Sequence, residues 1–215
     1  ETLAPFGSRI VALEDLYGGT FRYLQVLAEA GAYEVDFVYG QQALAEALSR
    51  PAALVLIETP TNPMMECYDV AATARLAREA GALLAVDNTF YTPAILRPLD
   101  EGADVAIYSA TKYLGGHNDV MAGVVTVADP ALGERLQYRL NTTGATLGPF
   151  DSFLLLRGLK TLSLRMARHE ANAKEVVAFL QASPHVTRVL YPGHSGMVSF
   201  DLAEDVDIAT FLESV

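Results

Sequence analysis

The chain has 215 residues, 51% of them hydrophobic and 19% charged, with a formal net charge of −11 at pH 7. That size and apolar content provide for one large core with part of a second unit, and exclude a disordered or solvating tail. The acidic balance, with no local basic cluster, sets nucleic acid aside, because phosphate backbones are held by Lys and Arg. No apolar run reaches the length of a membrane span. The opening residues Glu1-Thr2-Leu3-Ala4-Pro5 carry neither a basic stretch nor an apolar one of the export type, so a soluble cytoplasmic protein is expected. Cys67 is the only cysteine; an intrachain disulfide and a cysteine metal site are excluded, and core filler is the expected role.

In chain order, short apolar runs alternate with amphipathic stretches, the pattern of a βαβ succession and a mainly parallel sheet. Leu54-Val55-Leu56-Ile57 reads as a strand, followed by the rigid turn Thr59-Pro60-Thr61-Asn62-Pro63. Asp69 reads as the N-cap of a helix running towards Gly81. Leu83-Leu84-Ala85-Val86 ends in Asp87, and Val105-Ala106-Ile107-Tyr108 ends in Ser109; both read as buried strands with polar residues at the carboxyl end, the edge where open α/β sheets bind ligands. Residues 152–166 read as a helix linking two regions, with a change of domain near 160–168. Residues 170–182 read as a further amphipathic helix, and Val189-Leu190-Tyr191 and Met197-Val198-Ser199-Phe200 as strands.

The densest polar constellation is Ser109-Ala110-Thr111-Lys112-Tyr113-Leu114-Gly115-Gly116-His117. A lysine directly after a buried strand is costly unless it is modified, paired or solvated in a cleft. A desolvated amine is nucleophilic enough to form a Schiff base. Ser109 and Thr111 add hydroxyls, and the following glycines allow close backbone approach, a combination suited to a phosphate. Those features together point to pyridoxal phosphate (PLP). Asp87 then suits the pyridine nitrogen, because a protonated ring is the better electron sink. Alone, an Asp after an apolar strand is more often a helix cap or loop solvator than a cofactor partner, and the lysine motif downstream reverses that reading. Tyr17, followed by Gly18 and Gly19, is an aromatic ring able to stack on a planar group, or simply a half-buried turn residue. Asn62 presents an amide for the ring oxygen. The S-x-x-K spacing of Ser109 and Lys112 also occurs in serine acyl-enzymes, but no S-D-N or K-T-G partner motif is present. His117 reads as a structural hydrogen-bonding residue, since His169, His185 and His194 lie in unrelated segments and give no metal spacing.

Taken together, these segments resemble the Cys/Met-metabolism family of PLP enzymes, which includes cystathionine γ-synthase, γ-lyase and β-lyase and methionine γ-lyase. The stretch from Val86 to Gly123 and the run Leu156-Arg157-Gly158-Leu159-Lys160-Thr161-Leu162 carry the likeness most specifically. The resemblance implies a fold type I PLP-dependent transferase, with a mainly parallel sheet flanked by helices. Residues 1–165 form its large PLP-binding domain, lacking an N-terminal part, and 166–215 the start of a smaller C-terminal α/β domain. By the same resemblance, Lys112 is the Schiff-base lysine, Asp87 the partner of the pyridine nitrogen, and Tyr17 the stacking and proton-relaying tyrosine. Ser109 and Thr111 are phosphate ligands, Asn62 and Thr89 lie near the ring oxygen, and Arg22 lines the substrate site. Relatives are longer: ahead of Glu1 they carry glycine-rich phosphate contacts and a Tyr/Arg pair lent to a neighbouring subunit, and beyond Val215 an arginine for the substrate α-carboxylate. They also carry a longer loop where this chain has 191–197. The implied activity is transsulfuration, making or breaking a C–S bond at Cγ of a homoserine-derived amino acid or cystathionine; cystathionine β-lyase and a non-catalytic protein on the same scaffold are the alternatives. Gly19 stands where methionine γ-lyases carry cysteine, which weighs against that activity. The implied assembly is a homotetramer built from two dimers, and the implied ligand a sulfur-containing or O-acylated amino acid.

Overall fold

A computed structural model describes residues 1–213. Six strands form one sheet in the order β2-β1-β3-β4-β5-β6: β1 is Arg9–Leu13, β2 Glu34–Val38, β3 Leu54–Glu58, β4 Leu83–Asp87, β5 Val105–Ser109 and β6 Gly123–Val127. All neighbouring pairs are parallel except β5 and β6. The mainly parallel sheet flanked by helices is the expected fold. Between β1 and β2 runs α1 (Gly18–Glu29), between β2 and β3 α2 (Gly40–Ala47), and between β3 and β4 α3 (Val70–Glu79). Covering helices explain why the central strands are apolar on both faces: Val11, Leu13, Val55, Ile57, Leu84, Val86 and Val105 are fully enclosed. Each such side chain contributes about 1.5–3 kcal/mol on burial. As expected, Asp69 caps α3, its Oδ1 accepting the Ala72 N–H at 2.7 Å.

Three strands escape the sequence reading for separate reasons. β1 opens with Arg9, a charged residue that is buried only because its guanidinium is satisfied by Asp36 and by the carbonyls of Ala47, Arg50 and Pro51. β2 is an edge strand with no fully buried residue, and β6 is an edge strand on which two of the three valines remain partly covered. Neither edge carries the continuous apolar run that marks a central parallel strand.

Between β4 and β5 lies the four-residue α4 (Thr92–Ile95), and after β6 α5 spans Pro130–Thr143. The single helix expected over 152–166 is two: α6 (Pro149–Leu159) and α7 (Leu162–Ala182), which also absorbs the expected helix over 170–182. The break at Lys160-Thr161 folds Arg165 back on the corner, where its guanidinium donates to Gly158 O at 2.9 Å and to Tyr113 O at 2.7 Å. β7 (Val186–Leu190) and β8 (Ser199–Leu202), shifted by two or three residues from their expected positions, make a separate antiparallel pair, followed by α8 (Ile208–Glu213). α7 runs unbroken through position 165, and the expected second unit extends two positions past the described residues.

The α6–α7 corner touches the polar loop after β5 without intervening side chains. A Cβ placed on Gly158 would stand 2.2 Å from Gly115 O and 2.9 Å from Leu114 O. Both are backbone atoms that cannot swing aside. Gly158→Ala is therefore expected to cost about 3 kcal/mol, read as a fall in Tm of roughly 6–12 °C; an unchanged Tm would show that the corner does not brace the loop.

Candidate functional site

Parallel registry delivers the carboxyl ends of five strands, β1 to β5, to one edge of the sheet. Glu58 is level with Asp87 across β3 and β4, and Asp87 with Ile107 across β4 and β5. The chain leaves β1 for β2 on one side and returns to β3 on the other, so a crevice opens between the ends of β1 and β3, the switch point at which such sheets bind ligands. A cleft of about 410 Å³ lies there, within the range of small-molecule sites. Lys112, Asp87, Ser109, Thr111, Tyr17, Asn62 and Thr89 all line it. Arg22 does not: it is exposed on α1, with its guanidinium beside Gly18.

The floor is a short polar chain. The Ser109 N–H donates to Thr89 Oγ1 at 2.8 Å, and the Thr89 hydroxyl donates in turn to Asp87 Oδ1 at 2.5 Å. The Thr89 N–H reaches the same Oδ1 at 3.0 Å. Asp87 Oδ2 takes no hydrogen bond among the described residues and is left to face the cleft. Burial raises the Asp87 carboxyl above the ordinary aspartate range, while the two Thr89 bonds oppose that rise.

Lys112 sits on the turn after β5, its N–H donating to Ser109 O at 3.0 Å and its carbonyl accepting the Gly116 N–H at 2.9 Å. Its side chain is exposed to the cleft, so of the three ways to accommodate a lysine after a buried strand the protein uses solvation. Thr111 Oγ1 accepts the Ala122 N–H at 3.0 Å, and the Ser109 hydroxyl stands on the same turn. His117 Nδ1 lies 2.8 Å from Gly115 O and acts as donor, since a carbonyl only accepts. At the mouth, Tyr17 is 64% exposed. Its ring lies so close over Gly19 that a Cβ there would come within 2.6 Å of Cε1, so the second glycine makes room for the ring.

The sequence reading passes over four residues that line the cleft, Glu58, Phe90, Met121 and Met197, and of these Glu58 carries a titratable group. It ends the apolar run of β3 at 4% exposure, lines the cleft, and accepts the Tyr17 N–H on Oε2 at 2.8 Å, bridging the ends of β1 and β3. Its signal was a glutamate closing a strand otherwise buried on both faces. Burial, with Asp87 and Asp15 adding, drives its carboxyl from an ordinary 4.5 to about 8, against the Tyr17 bond.

The donor set fits a planar, phosphorylated, aldehyde-bearing pyridine: a primary amine, hydroxyls on a tight turn, an unengaged carboxylate oxygen and an exposed aromatic ring share one cleft. A sequence profile of the family described as Cys/Met metabolism PLP-dependent enzymes matches residues 1–210. The Bacillus subtilis (strain 168) protein named cystathionine gamma-synthase/O-acetylhomoserine (thiol)-lyase is 47% identical over 213 residues, covering 97% of this chain and 57% of its own. The cystathionine gamma-lyase of the same organism is 41% identical over 224 residues, covering 96% and 59%. The crystal structure of cystathionine gamma-lyase from Lactobacillus plantarum complexed with L-serine superposes with a TM-score of 0.93 at 37% identity, covering 99% of this chain and 60% of that one. The chain thus spans under two thirds of the length of these relatives.

The raised Glu58 carboxyl carries a sign that unfolding experiments read. Because the folded state binds its proton more tightly than the unfolded chain does, the associated stability is fully present below about pH 4.5 and is lost as pH rises through about 8. The loss is on the order of 4 kcal/mol, with Asp87 acting in the same direction. Glu58→Gln is expected to flatten most of this slope in urea unfolding across that pH range; a slope equal to that of the unsubstituted protein would contradict the assignment.

Proposed function

This chain belongs to the Cys/Met metabolism family of PLP-dependent enzymes, and on that premise we propose that the protein makes or breaks a carbon–sulfur bond at Cγ of a homoserine-derived amino acid or of cystathionine. The observation that carries the proposal is the meeting of Lys112, Asp87, Thr89, Ser109 and Thr111 in one cleft at the carboxyl edge of the sheet. Of the three lysines in the sequence, Lys112 is the one that lines this cleft.

PLP, when bound, supplies an electron sink for negative charge developing at the substrate Cα. Lys112 would hold it covalently through its amine, Ser109 and Thr111 would bind its phosphate, and Asn62 would hydrogen-bond its ring oxygen. Asp87 would keep the ring nitrogen protonated, with Thr89 fixing the carboxylate through Oδ1. Tyr17 would stack on the ring face and limit the access of water to it. Lys112 would remove the substrate Cα proton as general base and then move a proton at Cβ, which is what departure of a group from Cγ requires. Arg22, outside the cleft with its guanidinium beside Gly18, would have to turn from there to meet a substrate carboxylate.

Residues 1–165 are read as the PLP-binding domain and 166–215 as the start of a second one. Exposed Phe150, Phe153 and Leu156 on α6 support working as an oligomer, a homotetramer of two dimers. No helix among the described residues is long and apolar enough to cross a membrane, and a cytoplasmic location is proposed.

The test is product analysis with PLP present, offering an O-acylhomoserine plus cysteine, or cystathionine alone. Cystathionine is expected from the first, or cysteine, ammonia and a keto acid from the second. Lys112→Ala is expected to lower either rate by about a thousandfold or more. Homocysteine with pyruvate would instead identify a β-lyase, and no turnover by the unsubstituted protein would leave a non-catalytic scaffold.

A further inference from the structure

The ends of β1 and β3 are joined across the switch point by one side chain. Glu58 Oε2 accepts the Tyr17 N–H at 2.8 Å, and Tyr17 is the residue immediately before the first turn of α1. The Tyr17 carbonyl is held by the first turn of α1, accepting the Thr20 and Phe21 N–H groups at 2.8 and 3.1 Å, and Glu58 holds the N–H side of the residue, whose ring is 64% exposed and rests on Gly19. Fixing the peptide therefore fixes the direction in which the ring leaves the chain. Glu58 also stands level with Asp87 on the adjacent strand, about 4.8 Å away between backbones. Register partners on neighbouring parallel strands point to the same face, and two carboxyl groups so placed do not both ionise readily in a desolvated place.

We propose that Glu58 is a positioning residue for the cofactor site, anchoring Tyr17 through its peptide N–H while standing uncharged beside Asp87. The proposal rests on the PLP reading of the cleft. The groups facing Glu58 decide which carboxyl keeps the proton. Asp87 on β4 is stabilised as an anion by two bonds from Thr89. Glu58 receives one bond, from the β1–α1 turn, and the same turn brings Asp15, a second acid that raises it. Lys112, the cation lining the cleft, comes from the β5 turn. Burial pushes Glu58 up to about 8, so near neutral pH it is the protonated member. Its acid form still accepts the Tyr17 N–H, and it leaves Asp87 as the anion for a ring nitrogen. The division of labour is that of two carboxyls whose surroundings drive their proton affinities apart.

PLP affinity, read from the visible absorbance of the protein titrated at pH 7, tests the anchoring. Glu58→Ala is expected to weaken binding about tenfold, the effect of losing one buried hydrogen bond. Glu58→Gln, which keeps a neutral acceptor, is expected to recover affinity to within about threefold. If Glu58 acts through Tyr17, adding Glu58→Ala to Tyr17→Ala costs no more than about a further twofold. A Gln variant as weak as the Ala variant, or a double variant losing the product of the two single losses, overturns the proposal. The charge state is read separately by infrared difference spectroscopy of the protein before PLP is added: a protonated carboxyl carbonyl band at pH 7 is expected, absent in Glu58→Gln and titrating near pH 8. Its absence overturns the uncharged state whether or not the Ala variant folds. Failure of the unsubstituted protein to take up PLP would count against the PLP reading, and the infrared result would still decide the protonation of Glu58.

Discussion

Parallel hydrogen bonding between β1, β3, β4 and β5 is the constraint on which the cleft depends. Because these strands run in one direction, whatever follows their last residues emerges at the same edge. The five-residue strands are apolar through their length and turn polar only as they end, at Glu58, Asp87 and Ser109. The core therefore carries the stability and the edge carries the chemistry. An antiparallel arrangement of the same strands would scatter these residues over two edges. The crossing from β2 back to β3 adds the crevice itself, and Glu58 ties its two banks together.

Below that edge the site is ordered by a sequence of single hydrogen bonds. Ser109 holds Thr89, Thr89 holds Asp87, and the loop carrying Lys112 is braced from behind by the α6–α7 corner through Arg165 and the close approach of Gly158. None of these contacts requires a charged pair. The one charged group among them is the Arg165 guanidinium, which donates to the Tyr113 and Gly158 carbonyls.

Much of this was legible in the sequence wherever a residue's local neighbours determine its fate. Strands β3, β4 and β5 were readable because strands covered on both faces must be apolar throughout, and the polar cluster from Ser109 to His117 stood out because lysine rarely follows such a strand. What was hidden depends on distant partners. Arg9 reads as a surface residue until Asp36 and three carbonyls, all far along the chain, satisfy it. The break between α6 and α7 is set by Arg165 folding onto Gly158 and Tyr113, which no helical periodicity records. Glu58 was in view within the turn motif, yet its importance lies in its meeting with Tyr17, 41 residues away. Arg22 illustrates the reverse: its spacing from Tyr17 places it on α1 near the mouth, while its side chain is directed to Gly18 and solvent.

The central claim is that this edge presents one amine to PLP. The sequence contains Lys112, Lys160 and Lys174 and no other lysine. Lys174 is paired with Glu170 on α7, and Lys160 lies exposed at the end of α6. The direct measurement is to add PLP, reduce with borohydride, digest, and locate the stable label by mass spectrometry. One label per chain, on the peptide containing Lys112, is the expected result. Label shared among the three lysines, or none retained, would contradict it.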